Sequence, residues 1–296
     1  MISAVTDHVW QSTLFALLAA LATIGLRRHR ASTRYWIWFT ASLKFLIPFS
    51  LLVSLGGQFR FERASQVAQS RVVIAAVDFG QQLVTPTATA LHGGGRGMNL
   101  VPIACFLWVC GMIAVVGRWY IRWRRIRAAV RNSAPMDLGL PIPAMSCRWL
   151  GEPAVFGIMR PVMLLPARIT ERLSSDQLRA ILAHEMCHVR RRDNLTAAIH
   201  TVVTALFWFH PLVWWIGTRL IEEREQACDE EVIQCGNRPD VYADGILRAC
   251  RHYLESPLPS GCRVAGGDLS KRIRRIMTDR LGEALGLQKK MLLAAG

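Results

Sequence analysis

Four stretches of the chain stay apolar for about the 20 residues that a helix needs to cross a bilayer core. They are Val9 to Leu26, Trp36 to Leu55, Leu100 to Gly117 and Thr196 to Gly217. The first is followed, not preceded, by a basic cluster of Arg27, Arg28, Arg30 and Arg34. That polarity is the reverse of a secretory signal, so an uncleaved helix with its N-terminus outside is predicted. The second is interrupted by Lys44 and Pro48; an ammonium in mid-membrane is costly, so Lys44 is expected to face protein, water or a partner. The third runs into Arg118, Arg122, Arg124, Arg125, Arg127 and Arg131. The positive-inside rule then makes the polar segment 56–98 an external loop, with one short strand at Val72 to Val77, and puts the chain from Arg118 onward in the cytoplasm.

The fourth stretch contains His200, His210 and Pro211. It reads either as a full crossing or as two half-helices broken at His210-Pro211. A full crossing would put His188 and later residues on opposite sides, so a site shared between them favours the hairpin. The chain closes with Lys289-Lys290 and an apolar Met291 to Gly296, which has the form of the first turns of another membrane helix and predicts a longer natural polypeptide.

The segment Leu173 to His188 carries the chemistry. Ser174 with Gln177 three residues later is a capping-box start, and Leu178, Ile181 and Leu182 recur at helical spacing. Four residues separate His184 from His188, so both project from one helix face and can share a zinc ion. Glu185 lies beside the first ligand, where a carboxylate can take a proton from the attacking water: the HExxH arrangement. The plainer alternative is two surface histidines on a charged helix. A zinc site of this type needs a third protein ligand. A second helix, Pro211 to Ile233, offers Glu222, Glu223, Glu225, Asp229, Glu230 and Glu231. Pattern alone does not choose among them, although Glu225 and Asp229 share a face, as a ligand and its supporting residue would. Cys228 is a ligand by type, but its thiolate would close the site toward a structural role.

Other positions are weaker. Arg148-Trp149-Leu150 and Val162 to Leu165 read as short strands around a turn at Gly157, either holding an extended substrate or bracing the helix. His200 reads as a packed histidine, and His210 as a polar group near the cleft that could support catalysis. Leu269 to Leu285 sets Ile273, Ile276, Met277 and Leu281 against Lys271, Arg272, Arg274, Arg275 and Arg280. That is a basic amphipathic helix expected to lie on anionic membrane lipid.

Composition agrees. Hydrophobic residues make up 52% of the 296, mean hydropathy is +0.24, and there are ten tryptophans, which favours a membrane protein over a soluble globule. The net charge of +15 sits mainly in the arginine clusters after apolar runs. No helix-turn-helix or zinc-finger spacing occurs, so direct nucleic-acid binding is not expected. The eight cysteines form no CxxC pair and are read as free thiols.

Together these motifs resemble the BlaR/MecR-type antirepressor membrane metallopeptidases, over nearly the whole chain. The resemblance rests on Arg34-Tyr35-Trp36, Pro153 to Gly157, Arg160 to Pro166 and His184-Glu-Met-Cys-His188 followed by Arg192-Asp193. It continues through His210-Pro211-Leu-Val-Trp214 and Glu225-Gln-Ala-Cys-Asp229. It implies Glu225 as the third zinc ligand and Asp229 as its support. It also implies a mainly α, polytopic membrane helix bundle with a cytoplasmic, gluzincin-like zinc metallopeptidase domain carrying a small β-sheet. The expected division is 1–117 for three membrane helices, 118–262 for the peptidase and 263–296 for the basic helix. The implied function is a regulatory protease of a bacterial inner membrane, its site facing the cytoplasm, which cleaves a repressor-like protein or itself. A homodimer is left open. These residues contain no penicillin-binding sensor domain and no Ser-x-x-Lys in a sensor context, so antibiotic sensing is not expected of them. The alternatives are a housekeeping protease of the CAAX-processing or heat-shock type, and a transducer with structural zinc.

Overall fold

A computed structural model describes residues 2–47, 100–148, 150–254 and 266–278. The architecture is mainly helical with one small mixed sheet. In chain order it runs α1 (Ile2–Gly25), α2 (Ala31–Lys44), α3 (Val101–Arg131), β1 (Ala134–Met136), β2 (Ala144–Cys147), β3 (Ala154–Phe156) and β4 (Val162–Pro166). Then come α4 (Ile169–Arg172), α5 (Ser175–Arg190), α6 (Asp193–Leu206), α7 (Pro211–Gln234), α8 (Pro239–Leu254) and α9 (Gly266–Met277).

Two described helices are long and apolar enough to cross a membrane, Thr6–Gly25 within α1 and Val101–Arg131. Their surfaces fit that reading. Helix α3 buries none of its residues, and Ile103, Phe106, Leu107 and Ile113 stand exposed along it. Helix α1 exposes Leu14, Leu17, Leu18 and Leu21. The second apolar run enters the structure at the end of the 14-residue α2 and through Phe45–Ile47; residues 48–55, the expected loop 56–98 and the strand at Val72 to Val77 lie outside the described residues. The fourth run is a hairpin. Helix α6 ends at Leu206, the chain turns through Phe207–His210, and Pro211 opens α7, where its missing N–H is not needed. The arms pack closely, since a Cβ on Gly217 would lie 2.6 Å from His200 Nε2. His200 is a packed residue, bonded through Nδ1 to Ser42 at 2.8 Å.

Three apolar clusters hold the fold. One joins α1, α2, α6 and α7 through Tyr35, Trp38, Phe39, Phe45, Val203, Val213 and Ile216. A second fixes the sheet on α5 through Met163, Leu165, Ile169 and Ile181. The third binds α5, α7, α8 and α9 through Ala180, Val232, Tyr242, Ile246 and Ile276. Helix α7 contributes to the first and the third. It therefore connects the apolar bundle to the part of the fold that contains α5.

The sheet order is β1-β2-β4-β3, with β2 and β4 parallel and the outer pairs antiparallel. The strand expected at Arg148 to Leu150 lies earlier, at Ala144–Cys147, because its partner β4 aligns Ala144 with Met163 and Cys147 with Pro166. The β3–β4 turn falls at Gly157, as the sequence predicts. There φ is +97°, and a Cβ would collide with the backbone carbonyl of Arg160. Gly157→Ala is expected to destabilise the fold by about 3 kcal/mol, read as a lower thermal midpoint of the detergent-solubilised protein.

Candidate metal centre

Helix α5 begins with the predicted capping box. The Gln177 backbone N–H donates to Ser174 Oγ at 3.3 Å, and the Ser174 N–H donates to Gln177 Oε1 at 2.9 Å. The sheet-facing side of α5 packs Ile181 into the core, while His184, one turn before His188, looks toward α7 and α8. The two imidazole rings lie 4.9 Å apart and nearly perpendicular.

The third participant comes from α7. Glu225 Oε2 lies 3.4 Å from His184 Nε2, and its Oε1 lies 3.9 Å from His188 Nε2. One donor atom from each of His184, His188 and Glu225 falls within 4.8 Å of the others. Both histidines thus turn Nε2 inward and keep Nδ1 for a carboxylate. His184 Nδ1 lies 3.2 Å from Asp229 Oδ1 and 2.9 Å from the Tyr242 hydroxyl, which itself donates to Asp229 at 2.7 Å. His188 Nδ1 meets Asp193 Oδ2 at 2.7 Å. A carboxylate behind each imidazole fixes ring orientation and tautomer and makes the inward nitrogen a better ligand. Two imidazoles and one carboxylate are a zinc donor set with room for a further ligand. These residues fit that metal.

Glu185 is buried at 8% exposure. Among the described residues it has no hydrogen bond or ion pair, and burial pushes its carboxyl above the usual range. A structural carboxylate is normally paired when buried; an unpaired one beside the ligands suits proton transfer. Burial alone would lower His184, but hydrogen bonds with Asp229 and Glu225 override it and hold the imidazole up to about 10. At neutral pH the metal-free site therefore keeps a proton that zinc must displace. Zinc affinity is expected to rise with pH by about tenfold per unit for that one proton. Chelator-competition titrations at two pH values below 8 would show it.

Helix α9 supplies a residue that the sequence did not mark. Arg272 donates to both oxygens of Asp229, at 2.7 and 2.9 Å, and its Nη2 reaches within 3.3 Å of His184 Nε2. Against the burial that would raise it, this guanidinium holds Asp229 down to about 2. The described part of the basic helix is thus docked on protein: Ile276 is buried against α5, α7 and α8, and one arginine reaches the centre. Residues after Thr278 lie outside the described part. Cys228 stands behind His188, its sulfur 3.4 Å from the Nδ1 already bound to Asp193; burial pushes its thiol far up, so it remains neutral. His210 is not brought to the site. It bonds Thr13 at 3.0 Å, packs on Phe45, and precedes Glu225 by fifteen residues of one helix, about 22 Å.

The same residues fall inside one family. The family described as BlaR1 peptidase M56 matches residues 7–278. The chain belongs to it. Among characterised relatives, the regulatory protein BlaR1 of Bacillus licheniformis is 34% identical over 83 residues, covering 28% of this chain and 14% of that protein. The methicillin resistance mecR1 protein of Staphylococcus aureus (strain Mu50) is 28% identical over 101 residues, 33% of this chain and 17% of its own length. A BlaR1 of Staphylococcus aureus is 25% identical over 98 residues, again 17% of that protein. The matched stretches are thus less than a fifth of these relatives.

Sequence reasoning assigned no role to three partners in the centre of this M56 chain, Asp193, Tyr242 and Arg272, although Asp193 stands in the motif that carries the resemblance. Only Asp193 left a local signal. Arg192 adopts φ +55°, so the chain reverses at once after α5 and returns the next residue beneath His188. Asp193→Ala is expected to weaken zinc binding by about 10–100-fold, measured by competition with a chromophoric chelator.

Proposed function

We propose that this M56 chain is a zinc-dependent membrane endopeptidase acting in signal transduction, which hydrolyses a cytoplasmic repressor-like protein or its own chain. One observation carries the enzymatic part: the unpaired, buried Glu185 next to a converging His184, His188 and Glu225. A purely structural zinc site has no use for such a base. The regulatory part rests on the family and on relatives named regulatory protein BlaR1 and methicillin resistance mecR1 protein. The membrane part rests on α1, which is followed by arginines, and on α3, whose apolar half runs into arginines within the helix; by the positive-inside rule these favour a site on the cytoplasmic side.

Zinc, when bound, acts as a Lewis acid on the scissile carbonyl and on water. The chain's residues do the rest. His184, His188 and Glu225 would hold the ion, with Asp229, Tyr242 and Asp193 keeping both imidazoles in the ligating tautomer. Glu185 accepts a proton from the attacking water and returns it to the leaving amine. The β3 segment braces this machinery: Asn194 at the start of α6 donates to the carbonyls of Val155 and Gly157 at 3.1 and 2.9 Å. The test is reconstitution in vesicles with a panel of cytoplasmic repressor proteins. Cleavage that stops with a zinc chelator and returns with added zinc supports the proposal; intact substrates and intact chain with stoichiometric zinc would move the reading to a non-catalytic transducer.

A further inference from the structure

A cavity of about 930 Å³ lies between the end of α1, the start of α2, the middle of α7 and the end of α9. Its walls divide by chemistry. Ile24, Trp38 and Trp215 form an apolar part, and Arg27, Arg28 and Arg275 stand at a basic part. The carboxylates that face it are already engaged. Glu223 is paired with Arg34 at 2.8 Å, Glu230 accepts the Ala31 N–H at 3.1 Å, and Asp229 is bridged by Arg272 at 2.7 Å. Arg27, Arg28 and Arg275 meet no carboxylate among the described residues; Arg275 bonds only the Gln226 amide, at 3.3 Å. The cavity therefore presents three guanidinium groups without an ion-pair partner, set against the single carboxylate of Glu230, which is bonded only by neutral N–H groups, beside Ile24 and the half-buried ring of Trp215.

Its level in the fold is also marked. Arg219 lies over the ring of Trp215 at 5.6 Å. Arg118, the first arginine after the apolar part of α3, lies over the ring of neighbouring Trp214 at 5.8 Å. Tryptophan and arginine collect where a bilayer meets the cytoplasm, and the apolar surface of α1 ends at the same place, just before Arg27. A ligand that enters here meets lipid on one side and water on the other.

We propose that this cavity binds the headgroup of an anionic membrane phospholipid, with its phosphodiester on Arg27, Arg28 and Arg275 and its glycerol and upper acyl carbons against Ile24 and the half-buried Trp215. The proposal rests on the membrane reading above. A free anion would satisfy the arginines but leave the apolar side chain of Ile24, 63% exposed at the mouth of the cavity, uncovered. Because Asp229 also lines the cavity and Arg275 is one turn after Arg272, the bound headgroup would lie next to the support of His184.

The test uses the full chain, reconstituted in neutral phosphatidylcholine nanodiscs and titrated with phosphatidylglycerol, with bound lipid read by native mass spectrometry. Wild type should retain phosphatidylglycerol with a preference on the order of a hundredfold over phosphatidylcholine. The triple variant Arg27→Gln, Arg28→Gln, Arg275→Gln should lose that preference, and its zinc content should match wild type as a check of folding. A control triple, Arg122→Gln, Arg124→Gln, Arg125→Gln on α3, should keep it. Equal loss in the control would reduce the effect to general surface charge and overturn the site. Displacement of the lipid by millimolar inorganic phosphate would overturn the lipid assignment in favour of a soluble anion. Failure of the chain to float with phosphatidylcholine vesicles would remove the membrane reading itself, whereas flotation without lipid preference would remove this inference alone.

Discussion

Glu185→Gln should abolish proteolysis, by about 10²- to 10⁴-fold or more in turnover, while leaving zinc at wild-type stoichiometry. The substitution keeps the shape of the side chain and removes its basicity. None of His184, His188 or Glu225 depends on Glu185 for position, since no hydrogen bond or ion pair joins it to them among the described residues. Replacing a buried, unpaired acid by a neutral amide also spares the fold the cost of desolvating a charge, so the variant should be no less stable than wild type. Metal analysis alongside a cleavage assay separates the two readings. Retained cleavage would exclude Glu185 as the base, and parallel loss of zinc would make it a positioning residue.

The second large effect is expected at the carboxylate on α7. Glu225→Ala removes one of three donors from the set and leaves two imidazoles facing a gap. Outer partners of a zinc ligand are worth about 10–100-fold in affinity, so loss of a ligand itself should exceed 100-fold and empty the site at micromolar zinc. Glu225→Asp tests reach: the carboxylate withdraws by one methylene, and intermediate affinity is expected. If Glu225→Ala held zinc as tightly as wild type, the third ligand would lie elsewhere on the acidic face of α7. Glu222, paired with Arg219 at 2.7 Å, and Glu231, paired with Arg190, are engaged on other sides of the helix.

What the sequence made legible was local. The capping box, the His184–His188 spacing and the break at Pro211 are each set within one turn of helix or one proline, and each appears as predicted. Selecting Glu225 required the family resemblance, because six carboxylates on one helix look alike until the other helices take their places. Tyr242 and Arg272 were illegible for a related reason. They reach His184 from 58 and 88 residues away in sequence, and a tyrosine and an arginine on amphipathic helices have a sufficient reason to be there without a metal. The basic helix shows how one pattern can serve two surroundings. Its charge alternation describes lipid contact, yet Ile276 and Arg272 turn inward because α7 and α8 offer an apolar seat beside the carboxylate of Asp229, while Arg274 and Arg275 stay exposed. His210 misled through its neighbour: a histidine before a helix-breaking proline suggests a cleft, but here it closes a hairpin tip against α1.

Helix α7 runs unbroken for 24 residues, from that hairpin tip to beyond the carboxylate that faces both histidines. It has no internal proline, and Gly217 is held against His200. Such an element moves as a lever with little give along its length. A tilt of a few degrees about the bundle would swing Glu225 by about 1 to 2 Å over a 22 Å arm, comparable to the tolerance of a metal's coordination sphere. Mechanical input at the apolar end and bite distance at the catalytic end are thus two readings of one rigid coordinate.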